Sequence, residues 1–185
     1  MQLHRTAGFR ANDTEMVYSC MGMTGSGGLQ ISVMGNRLAD NDNTTYYRKP
    51  GDSDWTKLRE FDLNDPNNLY RILGGMVGVV GFNPDDPNIG YLIDNLNGED
   101  KTALYEFDFN TGAVGKKLFQ DADADVMAIQ LHSIPGSNKL VAARYPGARM
   151  ERHWFDEEEK ALYEALEKQI PYAHQVNIAS RSLDG

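Results

Sequence analysis

The sequence predicts an all-β fold, a partial β-propeller of about three four-stranded antiparallel blades plus the first strand of a fourth, with one helix inserted near residues 157–169. Three observations predict it. A strand–turn–strand unit recurs: "VVGFNPDDPNIGYLIDN" at 79–95, "AIQLHSIPGSNKLVAAR" at 128–144 and "VNIASRSLDG" at 176–185. Its turn dipeptides, Pro84-Asp85, Pro135-Gly136 and Asp184-Gly185, lie 51 and 49 residues apart, a repeat period. The stretch 103–109 that follows the unit at 79–95 also alternates its residues with the period of a strand.

The second unit shows the pattern most clearly. After "YLIDN" and the polar loop "LNGEDK", Ala103, Tyr105, Phe107 and Phe109 alternate with Leu104, Glu106 and Asp108. That implies a strand with a mostly polar second face. Asn110-Thr111-Gly112 supplies a turn whose glycine can take positive φ, and "VGKKLFQ" returns as a fourth strand. An earlier blade reads "HRTAGFRAND", "EMVYSCM", "TTYYRK" and "WTKLREF", the last two joined by "PGDSD". The Gly-, Asn- and Asp-rich stretch 22–43 reads as an insertion within it, whose "LQISVMG" is a further strand candidate.

In the third unit "RMERHWF" is the third strand, and "DEEEKALYEALEKQI" is a helix. Asp156 is its N-cap, with Glu159 placed for a capping box. Glu157 and Glu158 suit the positive end of the dipole. Ala161, Leu162, Ala165, Leu166 and Ile170 form its expected buried stripe, Glu164 and Lys168 an i,i+4 pair, and Pro171 its stop. Asn177 to Ser180 are expected to be the tail of a strand, and Asp184-Gly185 a hairpin turn. The blades are thus expected at about 5–61, 76–120 and 126–170, with the next starting near 174–185, all in one partial propeller domain interrupted within a hairpin.

From about Trp55 onward the chain resembles the N-terminal propeller of prolyl oligopeptidase-like serine peptidases of the bacterial dipeptidyl or acylaminoacyl peptidase type. The phrases that carry the resemblance run in order: "GFNPDDPNIGYLIDN", "ALYEFDFNTGAVGKKLFQ", "DADV", "KLVAARY", "HWFDEEEKALYEAL" and "NIASRSLDG". The resemblance implies a propeller seated over a C-terminal α/β-hydrolase domain of the same parent chain, where it gates and selects short peptide substrates. The Ser-Asp-His triad belongs to that domain, so none of it is expected in these residues, and the chain alone should be inactive. Glutamates that recognise a peptide N-terminus in some members have no matching motif here.

Composition narrows the alternatives. The net charge is −9 with no basic stripe, which disfavours nucleic acid and anionic membrane surfaces as partners. Cys20 is the only cysteine, so no internal disulfide and no four-cysteine zinc site can form. "MQLHRTAGFR" has no signal-peptide core, and no apolar run has the length of a membrane span. The compartment is left open between bacterial cytoplasm and periplasm.

Candidate chemical features are weighed against simpler readings. Ser26 in "TGSGG" lacks the first glycine of a nucleophile elbow and the Lys of a phosphate loop, so it reads as a loop residue. "DADADV" at 121–126 begins with EF-hand spacing but puts Val126 and His132 where Gly and Glu belong, so it reads as an inter-blade loop. "ADNDN" at 39–43 fails the same test. His4, His132, His153 and His174 show no metal-binding spacing, and Glu157–Glu159 reads as a charged helix start. Trp55, Trp154, Tyr46, Tyr47, Tyr105 and Phe107 read as inter-blade core rather than a sugar or peptide site. Asp94, Asp108 and Asp156 would have to converge for a propeller glycosidase or lectin. No catalytic, cofactor-binding or metal-ligating residue is assigned and no cofactor is expected. The competing reading is a free-standing binding module, completed by self-association through its open propeller edges.

Overall fold

A computed structural model describes residues 15–23, 29–37, 42–48, 53–54, 56–62, 64–66, 78–86, 88–96, 99–134, 137–170 and 175–182. The described residues form antiparallel sheets and one helix. The strands are β1 (Glu15–Met23), β2 (Leu29–Arg37), β3 (Asp42–Arg48), β4 (Thr56–Asp62), β5 (Gly78–Phe82), β6 (Ile89–Asp94), β7 (Ala103–Asp108), β8 (Ala113–Phe119), β9 (Ala128–Leu131), β10 (Leu140–Pro146) and β11 (Met150–Trp154), followed by the helix α1 (Glu157–Gln169). The chain divides into two compact units, one carrying β1–β4 and the other carrying β5 onward.

In the first unit the four strands pair in chain order, β1-β2-β3-β4. Met23 lies opposite Leu29, and Arg37 opposite both Glu15 and Asp42. This corrects the sequence expectation for 22–43. "LQISVMG" is no part of an insertion; it is the second strand of the sheet. Its Ile31, Val33 alternation suits a ladder flanked on both sides, which a Gly-rich surrounding obscures. "HRTAGFRAND" lies outside the described residues, as do Ser26 and Trp55.

The second unit opens with another meander, β5-β6-β7-β8. Side-chain caps close its turns. Asn83 Oδ1 accepts from the Asp85 amide at 2.9 Å and Asp86 Oδ1 from the Asn88 amide at 2.9 Å. Asp108 Oδ1 accepts from the Asn110 amide at 2.7 Å, and Gly112, at φ +70°, donates its amide to the Asp108 carbonyl at 2.8 Å. These are the Asx turns that Asn and Asp favour, with glycine at the left-handed position.

A three-stranded meander, β11-β10-β9, follows. One hydrophobic core joins it to the β5–β8 sheet. Tyr91 and Ile93 of β6, Leu104 of β7, Val126 and Ala143 of β10 are buried together, with Val80, Leu118, Phe119, Ile129 and Leu140 packed around them. The Gly81 backbone and the Ile129 side chain approach closely, since a Cβ on Gly81 would stand 2.7 Å from Ile129 Cδ1. The mostly polar second face expected of β7 is seen at Glu106 and Asp108. Leu104 on that face is fully buried, as is Ala103, and Tyr105 and Phe107 are buried, because β7 is central in its sheet. Only Glu106 and Asp108 reach the surface in part.

The opposite face of β10 and β11 is covered by α1. Trp154 meets Tyr163 with ring centroids 5.1 Å apart. Asp156 caps the helix, its Oδ1 accepting from the Glu158 and Glu159 amides. The capping box is not made as expected, because the Glu159 carboxylate turns to other partners. The buried stripe is also rotated from the expected one. Tyr163 and Glu159 are buried, Leu162 and Leu166 half-buried, and Ala161, Ala165 and Ile170 exposed. An aromatic ring against Trp154 outweighs two alanines in setting the helix's rotation. Residues 175–182 form no strand, which corrects the strand expected at Asn177–Ser180; side chains hold this segment instead. The turns at 135–136 and 184–185 lie outside the described residues.

Candidate functional site

Among the described residues, a concentrated polar structure lies where β9–β11, α1 and the 175–182 segment meet. Antiparallel pairing sets Arg144 of β10 opposite Arg152 of β11, and Ala142 opposite both Trp154 and Gln130. Strand alternation puts all of these on the face away from the core, because Ala143 points into it.

Arg152 is the hub. Its side chain is only 7% exposed. Nε donates to Gln130 Oε1 at 3.0 Å, and Nη2 donates to the Val176 carbonyl at 2.7 Å and to Asn177 Oδ1 at 3.0 Å. Nη1 lies 3.5 Å from Glu167, and the guanidinium stacks over Tyr163 at 4.8 Å and Trp154 at 5.5 Å. Burial, and less strongly the neighbouring Arg144 charge, pull its pKa down; Tyr163 and Glu167 oppose them.

A second charged group pins the segment further along. Arg181 grips Glu159 with two parallel bonds of 2.7 and 2.8 Å, and Glu159 is 5% exposed. His132 Nε2 lies 3.1 Å from Glu159 Oε1, while its Nδ1 accepts from the Ile134 amide. The Ile178 amide donates to the Tyr163 hydroxyl, and Gln175 Nε2 to the Met150 carbonyl. Asp156, the N-cap, pairs with Lys139 through Oδ2, and this hydrogen bond, with the Glu159 amide, holds its carboxyl below the usual range.

Both ring nitrogens of His132 are engaged, so it serves as a structural link rather than a free base. Its neighbour Ser133 has a buried hydroxyl that makes no hydrogen bond. The arrangement thus anchors a chain segment by charge-assisted bonds and sets no nucleophile against a base.

The other sequence candidates are placed as follows. His153 stacks on Phe119 at 4.0 Å and meets Phe155 edge-on; burial lowers its pKa. Asp121 Oδ1 accepts from the Asp123 and Ala124 amides, Asp125 Oδ1 accepts from the Thr102 amide, and Val126 is buried, so "DADADV" is a capped connector between sheets. Asp94 and Asp108 do not converge. Asp94 stands opposite Ala103 and Asp108 opposite Ile89, at the two ends of the β6–β7 pair. Glu157 pairs with Lys160, and Glu158 is exposed, whereas Glu159 is a buried ion-pair member rather than part of a solvated helix start. Of Tyr46 and Tyr47 only the strand backbone is described. His4, His174 and residues 39–41 lie outside the described residues.

Arg144, Arg152, Arg181 and Tyr163 escaped the sequence reading. The available signal was the pair of arginines ending "LVAAR" and inside "MERHW", two cations on strands otherwise rich in apolar residues. Among the described residues no group of three or more His, Cys, Asp or Glu could hold a metal ion, and no helix is long and apolar enough to cross a membrane. Comparison with protein-family models, curated proteins and solved structures finds no match to this chain.

Proposed function

We propose that this chain is the non-catalytic, propeller-type portion of a serine peptidase, gating and selecting short peptides for an α/β-hydrolase domain outside this sequence. The supporting observation is the order of its elements. Two four-stranded antiparallel meanders precede a three-stranded one that runs straight into a capped helix. The phrase carrying the family resemblance, "HWFDEEEKALYEAL", spans that strand-to-helix junction. Blades of this kind restrict entry sterically, while acyl transfer through a triad supplies the chemistry. Under this reading the Arg152 and Glu159 network holds the chain as it leaves one blade for the next.

The chain alone should give only background rates on a panel of peptide p-nitroanilides. Turnover that a serine-directed fluorophosphonate blocks would overturn the proposal. A second reading, a binding module completed by self-association, draws on the exposed outer strand β8 and on β11, which pairs with β10 alone among the described strands. Sedimentation discriminates between them: a discrete oligomer favours the module, and heterogeneous association favours a peptidase portion separated from its other blades.

A further inference from the structure

We propose that Arg144, backed by Arg152, forms a binding site for a carboxylate on the β10–β11 face, of the kind offered by a small organic acid or the free C-terminus of a short peptide. The site follows from charge that is left over among the described residues. Arg144 and Arg152 are directly opposed across an antiparallel pair, and like charges so placed repel. Arg152 is spent on Gln130, the Val176 carbonyl, Asn177 and Glu167. Arg144 has no such set. Its backbone carbonyl accepts from the Met127 amide, but its Nε is buried without a hydrogen-bond partner, and no carboxylate among the described residues comes within ion-pair reach. The chain as a whole carries nine more negative than positive side chains, so an unanswered Arg144 is not explained by a shortage of acids.

An anion bound there relieves both costs. It supplies acceptors to the reachable edge of the Arg144 guanidinium, and it screens two cations that share one face. The planar fork of a guanidinium matches the two oxygens of a carboxylate. Arg144 is half-buried, so a ligand can reach its outer edge while the surroundings still strengthen the bond. Arg152 is fixed by its own contacts and serves as a held positive charge behind the site, a positioning residue rather than a direct ligand. The site does not depend on the peptidase reading, which concerns a different domain's chemistry.

The test uses the full chain with 15N-labelled arginine. The Nε–H resonance of Arg144 is assigned by its disappearance in Arg144→Lys. Acetate and N-acetyl-dialanine should shift that resonance saturably, whereas N-acetyl-dialanine amide should leave it in place. By calorimetry Arg144→Met should weaken acetyl-dialanine binding by about tenfold or more, and Arg144→Lys by less, since a lysine keeps the charge but not the fork. If Arg144→Met fails to fold by near-ultraviolet circular dichroism, Arg144→Lys alone decides. No shift, an equal shift from the amide, or unchanged affinity in the folded variants would overturn the proposal. Phosphate binding more tightly than either carboxylate would overturn the ligand assignment.

Discussion

Replacing Glu159 by Gln tests the seat of the 175–182 segment. The carboxylate is buried and answers two partners, the Arg181 fork and His132. Losing its charge leaves a guanidinium facing an amide in a site with little water. Breaking a buried pair in this way costs about 3–5 kcal/mol. Arg181 keeps 15% of its side chain exposed, so part of its charge can still reach solvent. The expected loss for Glu159→Gln is therefore at the lower end, about 3 kcal/mol. Arg181→Gln should cost less, about 2 kcal/mol, because His132 can still donate to Glu159. With both replaced, neither charge is stranded, and the double variant should lose about 3 kcal/mol, giving a coupling near 2 kcal/mol. Urea unfolding followed by fluorescence in a Trp55→Phe background isolates Trp154, whose ring lies against Tyr163. A coupling below about 0.5 kcal/mol would refute the reasoning, since it would mean that the pair contributes no more than a solvated one.

Other perturbations follow from the same geometry. Leu104→Ala empties a fully buried site in the core shared by two sheets and should cost about 3 kcal/mol in a urea melt. Gly81→Ala sets a methyl 2.7 Å from Ile129 Cδ1 and should cost about 1–3 kcal/mol, part of which Ile129→Val should restore. Asp156 has a folded pKa held below its ordinary value, so its contribution is full above the unfolded pKa, near 4, and fades as pH falls through the folded one. Asp156→Asn should therefore flatten the acid limb of stability against pH. His153 has a folded pKa lowered by burial; its neutral form stabilises fully above the unfolded value of about 6.5, and stability falls as pH drops from there through the folded value. His153→Phe should remove that slope in thermal melts below about pH 6.5.

The strands of the second unit were legible because local signals agree there. Period-two alternation in "ALYEFDF", Asx turns at Asn83 and Asp108, and Gly112 at positive φ all point the same way. The helix and its N-cap were legible for the same reason. What failed depended on tertiary contacts. No local pattern says that Leu104 on the polar face of β7 is fully buried, or that Tyr163 rather than Ala161 faces the sheet. Glu159 fits a capping-box sequence, and only the distant Arg181 explains why its carboxylate leaves the cap. "LQISVMG" was obscured by its glycine- and asparagine-rich flanks, although it has two strand neighbours. The polar site was the least legible part, since it joins residues from β9 to Arg181 that are far apart in sequence.

The proposed role is tested most directly on the native protein. An antibody to this chain would capture its source polypeptide from cells treated with a tagged fluorophosphonate, and the captured band would be sized and probed for the tag. The account expects a tagged band well above the 20.7 kDa of this chain, with the label mapping to a serine outside these residues. An untagged band at 20.7 kDa would contradict it, and so would a label on a serine within the chain.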